Sequence, residues 1–375
     1  MVRDLVLTLH SSMTIQKRRM SDLKFSKRIY LERMRLEHKK RIRQHELRQL
    51  FWECTLRCNL NCRHCGSDCR HSSSVADMPL SDFLPILDEV AQKYNPNNIL
   101  VVTTGGEPLL RPDIELCGKE ITKRGFLWGM VSNAMILTEE RLKTLIDAGL
   151  RTIGISLDGL KDQHNWLRGN PNSFNNAINA IKALQKSDIL WDVITCVNTQ
   201  NIDSLFKLKD LLISSGVKKW RLLTIFPSGR AADDVSMQLP CSKLTELMNF
   251  IVETRKEGKI DVSFGCEGFL GNYEHEVRNY SFFCQAGINV ASVLSDGSIS
   301  GCLSIRSDYH QGNIYTDNFC DIWETKFDCY RDREWKKTGE CTHCAVWRYC
   351  EGGGMHLRES DGTLSQCLYN RLSNI

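Results

Sequence analysis

Phe51–Cys69, FWECTLRCNLNCRHCGSDC, is the stretch from which the fold follows. In it Cys58, Cys62 and Cys65 stand as C-x3-C-x2-C, close enough along one loop to grip a single metal cluster. Thiolates are the usual ligands of iron–sulfur clusters. Three of them hold three irons of a 4Fe–4S cubane and leave the fourth iron with no protein ligand. An open metal position is where chemistry, rather than structure alone, resides. For the triplet taken alone, a zinc site or three buried thiols are the alternatives.

The residues around the start of this loop, LFWECTL, read as a short buried strand with the cysteines at its C-terminal end. Downstream, strand-like and helix-like runs alternate. Ser81 is expected to cap a helix over SDFLPILDEVAQKY, which is apolar along one face. NILVVTT (98–104) is β-rich and ends in Gly105-Gly106-Glu107-Pro108. A helix over 113–123, the strand FLWGMVSN and the helix TEERLKTLIDAG follow. Then come TIGISLDG, a helix over 173–186, LWDVITCVNT, a helix over 203–214, WRLLTIF and a helix over 242–255. About six such alternations mean parallel β/α units. Six are too few to close an eight-stranded barrel, so the fold expected is α/β, a partial (β/α)6 TIM-like barrel. Its ligands should gather at the C-terminal ends of the strands. Beyond Phe264 the pattern changes: NVASVLSDGSISGCLS reads as a hairpin turning at Asp296-Gly297, after which the chain is rich in Cys and Gly. The expected division is an arm over 1–48, a barrel over 49–265 and a small Cys-rich domain over 266–375.

With 375 residues, 42% of them hydrophobic, the chain is long enough for a barrel plus a small domain. Seventeen cysteines, odd in number and closely spaced, speak for bound metal and against a disulfide framework. MVRDLVLTLHSSM is apolar over too few residues to span a bilayer or to act as a signal peptide. No membrane span is expected, and the compartment expected is the reducing cytoplasm. The net charge of +4 is unevenly spread: from Thr14 to Leu50, thirteen Lys or Arg face four acids. This arm reads as a basic helix. It either meets an acidic peptide, nucleic acid or lipid headgroups, or is a solvated helix covering one end of the barrel. Nucleic acid is not an expected partner of the whole.

The cysteine triplet in one strand-end loop, with His64 before its third cysteine, and GGEP in the next resemble the radical S-adenosylmethionine (radical SAM) superfamily. The resemblance implies that SAM chelates the open iron through its amino and carboxylate groups. Glu107 would accept from the amine, while Gly105 and Gly106, lacking Cβ, would let backbone approach. Ser156 and Asp158 in ISLDG fall where the family contacts the methionine and ribose; turn chemistry and helix capping are their other reading. Arg168 in HNWLRG falls where related enzymes place an Arg near the SAM carboxylate, the other reading being a surface Arg. Pro227 and Gly229 in FPSGR resemble the segment along the adenine. His64, through its backbone, and Asn133 in VSNA complete the set.

The C-terminal pattern is Cys284, Gly297, Cys302, then Cys341-x2-Cys344-x5-Cys350 and Cys367. It resembles the SPASM extension of radical SAM enzymes, which carries auxiliary iron–sulfur clusters. By that resemblance Cys341, Cys344, Cys350 and Cys367 hold the outer cluster, with structural zinc as the alternative. The inner cluster would use Cys284, Cys302 and a further cysteine, but Gly354 stands at that place. The inner cluster is then absent, or it borrows Cys266, His356 or a substrate atom. A second departure is Leu303, where sulfatase-maturing members carry an Asp base, so formylglycine formation is disfavoured. Cys54, Cys69, Cys117, Cys196, Cys241, Cys320 and Cys329 read as packing residues, with Cys69 nearest the site.

The resemblance covers Leu50 to Leu372. HELRQLFWECTLRCNLNCRHCGSDC, HNWLRGNP and RYCEGGGMHLR are also similar to a Bacteroidetes branch of SPASM proteins named for an accompanying lipoprotein. The family implies reductive cleavage of SAM to a 5′-deoxyadenosyl radical, with a flavodoxin or ferredoxin as electron donor. It further implies hydrogen abstraction from a substrate, here expected to be a side chain of a precursor peptide or protein. The alternatives are a small-molecule or tetrapyrrole-modifying enzyme, or a non-catalytic iron–sulfur or zinc protein.

Overall fold

Seven runs rich in branched and aromatic residues pair side by side and in parallel. They are β1 (Gln49–Thr55), β2 (Leu100–Gly105), β3 (Leu127–Ser132), β4 (Leu150–Ser156), β5 (Leu190–Val197), β6 (Lys219–Thr224) and β7 (Asp261–Phe264). Parallel neighbours need crossovers, and helices supply them. The computed structural model describes residues 23–373. MVRDLVLTLHSSM and the first part of the basic arm, KRRM included, lie outside the described residues. No helix among those described is long and apolar enough to cross a membrane.

Helix α1 (Phe25–Gln44) precedes the sheet; α2 (Leu80–Lys93), α3 (Ile114–Lys123), α4 (Glu139–Asp147), α5 (Lys161–Arg168), α6 (Ser173–Gln185), α7 (Leu205–Ser214) and α8 (Cys241–Glu257) connect its strands. α2 starts at Leu80 after Pro79, so Ser81 lies inside the helix and does not cap it; its hydroxyl bonds Asp82 instead. Helix α5 and strand β7 are absent from the sequence reading. Fully buried tryptophans anchor the core, and their indoles are satisfied by neighbours. Trp128 donates to Thr103 Oγ1 at 3.2 Å, Trp220 to Thr195 Oγ1 at 2.9 Å, and Trp52 stacks on Phe83 at 4.3 Å. Each such ring removes 150–250 Å² from water, roughly 4–6 kcal/mol.

The C-terminal segment joins the same sheet. β8 (Val290–Val293) pairs in parallel with β1, from Gln49↔Val290 to Trp52↔Val293. β9 (Ser298–Ser300) and β10 (Gly312–Asn313) continue it antiparallel. The hairpin is not the type I′ turn that Asp-Gly favours. Only Gly297 has positive φ (84°), and its N–H bonds Leu294 O at 2.9 Å, so a type I turn ends in a glycine bulge. Helix α1 lies on the C-terminal segment. His38 stacks on Phe283 at 4.1 Å, Tyr349 donates to Glu32 at 2.8 Å, and Lys27 bonds Glu274 O and Glu276.

Candidate cluster and cofactor site

β1 delivers the cysteine loop to the mouth of the sheet. Cys58, Cys62 and Cys69 are buried there with Leu60, and half-buried Cys65 packs against them. Burial pushes the Cys58 thiol up to about 11, and neighbouring Cys62, Glu107 and Cys65 add to the rise. Burial also raises Cys62, opposed by the Arg168 guanidinium. Cys65 moves the other way, toward thiolate, because the Cys69 thiol donates to it. Cys69 thus lines the cluster loop, and its hydrogen bond favours the ligating form of Cys65.

Three other strand ends clamp this loop. After β2, Gly106 N bonds Thr55 O at 2.7 Å and Glu107 N bonds Arg57 O at 2.8 Å. A Cβ on Gly105 would overlap Thr55 O, and one on Gly106 would overlap Arg57 O. These glycines therefore let the GGEP backbone approach the cysteine loop, a closer demand than approach to a ligand. Glu107 is buried and well occupied. Oε1 accepts from Ser132 Oγ (2.8 Å) and Leu109 N (3.2 Å), and Oε2 accepts from Asn133 N (2.7 Å). A carboxylate takes about four hydrogen bonds, so Oε2 retains room for one more donor. Burial raises this acid to about 7 against those three bonds. Asn133 turns its amide to Asn59 Oδ1 (2.8 Å) and Cys58 Sγ (3.7 Å).

Past β4, Ser156 and Asp158 are both buried. Asp158 Oδ2 accepts from Arg168 Nε at 2.6 Å and Oδ1 from Cys196 N at 2.9 Å. Arg168 Nη1 reaches Cys62 Sγ at 3.7 Å, and Arg63 N bonds Leu167 O at 2.9 Å. Arg168 is thus neither a surface residue nor a free fork; it links Asp158 to a loop thiol. Burial opposes the Asp158 charge, yet Arg168 beside it holds the carboxyl well below the usual range. Past β6, Gly229 (φ 54°) sits against the loop, where a Cβ would fall 2.5 Å from Cys65 O. Half-buried Pro227 is in the same turn. Arg230, which the sequence reading missed, donates to Cys62 O (2.7 Å), Cys69 O (2.9 Å) and Asp68 (2.7 Å). Nothing in FPSGR but a cation next to a flexible glycine signals that role.

The residues fit the cofactors the family implies. Three thiols share one pocketed loop. His64 is forced neutral by burial, its Nδ1 makes no hydrogen bond, and its ring stands near Asp158 and Cys196. An orphaned buried nitrogen is costly unless something else approaches it. Beside the loop lies a cavity of about 250 Å³ lined by Glu53, Thr104, Gly105, Phe226, Leu303 and Arg306, among others.

In the C-terminal segment, Cys341, Cys344, Cys350 and Cys367 all line one cavity of about 320 Å³. Two buried cations lie near these thiols and, among the described residues, form no ion pair with a carboxylate. Arg358 Nη2 donates to Cys341 Sγ at 3.3 Å, and Lys336 Nζ bonds Gly353 O within reach of the charges of Cys284 and Cys350. Buried cations need anions, and a thiolate cluster supplies them.

Comparison with known proteins gives the same reading. The model of the radical SAM superfamily matches residues 52–212, and that of the SPASM iron–sulfur cluster-binding domain matches 284–345. The chain is 27% identical to an AdoMet-dependent heme synthase of Methanosarcina barkeri, over 81% of this chain and 90% of that one. It is also 27% identical to the mycofactocin maturase MftC of Mycolicibacterium smegmatis, over 82% and 77%. Streptococcus suis SuiB bound to its precursor peptide SuiA shares the fold, with a TM-score of 0.64 at 18% identity over 84% of this chain and 74% of that one. The chain is therefore an enzyme of the radical SAM superfamily, with a SPASM iron–sulfur domain following its parallel sheet.

Proposed function

We propose that this enzyme modifies a side chain of a peptide or protein. When bound, SAM and the 4Fe–4S cluster supply a 5′-deoxyadenosyl radical able to abstract a hydrogen atom. Cys58, Cys62 and Cys65 hold three irons, with Cys69 favouring the thiolate of Cys65. Arg168 sets Cys62, Asn133 sets Cys58, and Arg230 fixes the loop carbonyls. Glu107 keeps one acceptor position for the SAM amine. His64, Ser156, Asp158, Pro227 and Gly229 border the nucleotide. A reduced flavodoxin or ferredoxin supplies the electron, and the compartment is the cytoplasm, whose reducing conditions keep cysteines out of disulfides and open to iron.

The observation that carries the peptide reading is the mouth cavity. At about 250 Å³, with Glu53 and Arg306 paired in its wall at 2.9 Å, it suits one side chain. A tetrapyrrole substrate is the second reading, favoured by the heme synthase relative and its 90% coverage. Anaerobic, reduced enzyme is to be incubated with SAM and either a precursor peptide encoded beside it or an iron porphyrinogen-type tetrapyrrole. Peptide-dependent 5′-deoxyadenosine and a mass change in the peptide are expected. Turnover on the tetrapyrrole alone would replace the proposal with the second reading.

A further inference from the structure

Three of the C-terminal thiols outside the outer set, Cys266, Cys284 and Cys302, come together at a second place. Cys284 precedes β8, Cys302 follows β9, and Cys266 follows β7. The ring of Tyr330 holds the first two loops together, since a Cβ on either Gly287 or Gly301 would strike it, and its hydroxyl bonds Gly301 N at 3.2 Å. Cys266, Cys284 and Cys302 stand within range of one another's charge. Cys266 has an exposed surface, yet its thiol is surrounded by protein on nearly every side. The two facts agree if that surface faces an internal space rather than the outside.

Gly354 completes the picture. Its backbone, at φ −67° and ψ 143°, is one any residue adopts. What it lacks is room for a side chain. A Cβ there would fall 2.6 Å from Cε1 and 2.8 Å from Nδ1 of His356, and 3.1 Å from the carbonyl of Glu267, the residue after Cys266. The His356 ring thus fills the volume into which a side chain at 354 would project, beside the Cys266 backbone. Neither of its ring nitrogens makes a hydrogen bond among the described residues, and the ring lies 4.9 Å from Phe226, which lines the mouth cavity.

We propose that the inner auxiliary cluster of this enzyme is held by Cys266, Cys284, Cys302 and His356, the imidazole taking the corner that a cysteine at 354 would occupy. The proposal rests on the iron–sulfur reading of the C-terminal segment and adds to it a ligand set specific to this chain. Replacing one thiolate by neutral imidazole removes a negative charge and raises the potential, as histidine ligation does in other iron–sulfur centres.

The test uses the full chain with Cys58, Cys62 and Cys65 changed to Ala, so that only auxiliary clusters remain after anaerobic reconstitution. About eight irons, two cubanes, are expected. Adding Cys266→Ala should remove about half of them. Adding His356→Ala should abolish an imidazole nitrogen coupling in pulsed EPR of the reduced protein. Gly354→Cys with His356→Ala should restore an all-thiolate site, with full iron, no nitrogen coupling and a lower midpoint potential. Gly354→Cys alone should lose iron, because the histidine ring blocks it. Unchanged iron in the Cys266→Ala protein, or a nitrogen coupling that survives His356→Ala, overturns the ligand set while leaving the outer cluster reading intact. Absence of iron from the parent variant overturns both.

Discussion

Arg168 is 9% exposed and spends its guanidinium on Asp158 and Cys62. Removing one partner of a buried pair leaves an uncompensated charge, at about 3–5 kcal/mol. Arg168→Ala should therefore destabilise the protein by that order, read as a shifted urea midpoint, and should lower iron retained at the first cluster. Arg168→Lys keeps the charge but cannot span both partners, so stability should return further than iron does. Equal recovery of both would show that charge alone matters. Because the Asp158 pKa is depressed, its stabilisation is present above the ordinary carboxylate range and is lost only in strong acid, so this pair is silent from pH 5 to 8. Glu267 behaves oppositely. It is buried against Thr224 N and Oγ1, and burial lifts it from 4.5 to about 7. Between those values the folded protein binds the extra proton, so stability falls as pH rises through the window, by on the order of 3 kcal/mol. Glu267→Gln keeps one acceptor for Thr224 N and gains a donor for its hydroxyl. It should flatten the decline in urea midpoint between pH 5 and 8 in cluster-free protein; an unchanged slope would assign the decline to other groups.

At the scale of elements, the strand-end loops act on one another before any ligand arrives. Gly106→Ala would drive a methyl into Arg57 O, and Gly105→Ala would add the same fault to a residue at φ 132°. Overpacking costs ~1–3 kcal/mol and here displaces the cysteine loop. Each variant should lose the visible absorption of the first cluster while keeping its far-ultraviolet dichroism. Gly258→Ala makes the control: φ is 67°, nothing lies within 4 Å, and only a backbone penalty of about 1 kcal/mol is expected, with full cluster content. The loops were legible because cysteine spacing and GGEP are local patterns, and β1 to β6 because buried parallel strands read as apolar runs. What joins them was not. Helix α5 is eight residues long and looks like a loop, so Arg168 read as a surface cation or a ligand contact rather than a buried strut. β7 has four residues, and the pairing of β8 with β1 links positions some 240 apart, beyond any local signal. Ser81 failed as a cap because Leu80 already lies within the helix.

At the scale of the molecule, the sheet runs unbroken from β10 through β1 to β7, so the C-terminal segment is pinned through β8 to β1, the strand that leads into the first cysteine loop. Beyond β8 to β10 its interior is short helices and turns around thiols, with Lys336 and Arg358 buried among them. Burial, helped by the nearby charges of Arg333 and Arg358, pushes Lys336 down to about 7, and the thiols at Cys284 and Cys350 pull the other way. With clusters present, their negative charge offsets that of the two cations; stripped of iron, the segment holds buried charges without that counterpart. Chelation under reducing conditions should therefore accelerate amide exchange over 300–373 far more than over β2 to β6. Lys336→Met separates charge from packing. Without iron it should be more stable than the parent, by about 1–3 kcal/mol, because a buried unpaired ammonium is gone. With iron it should lose that advantage, and the auxiliary potentials should fall, since a cation that favours the reduced cluster has been removed. If Lys336→Met instead destabilised the stripped protein, the lysine would be a packing residue, and the C-terminal segment would hold together without help from its metal.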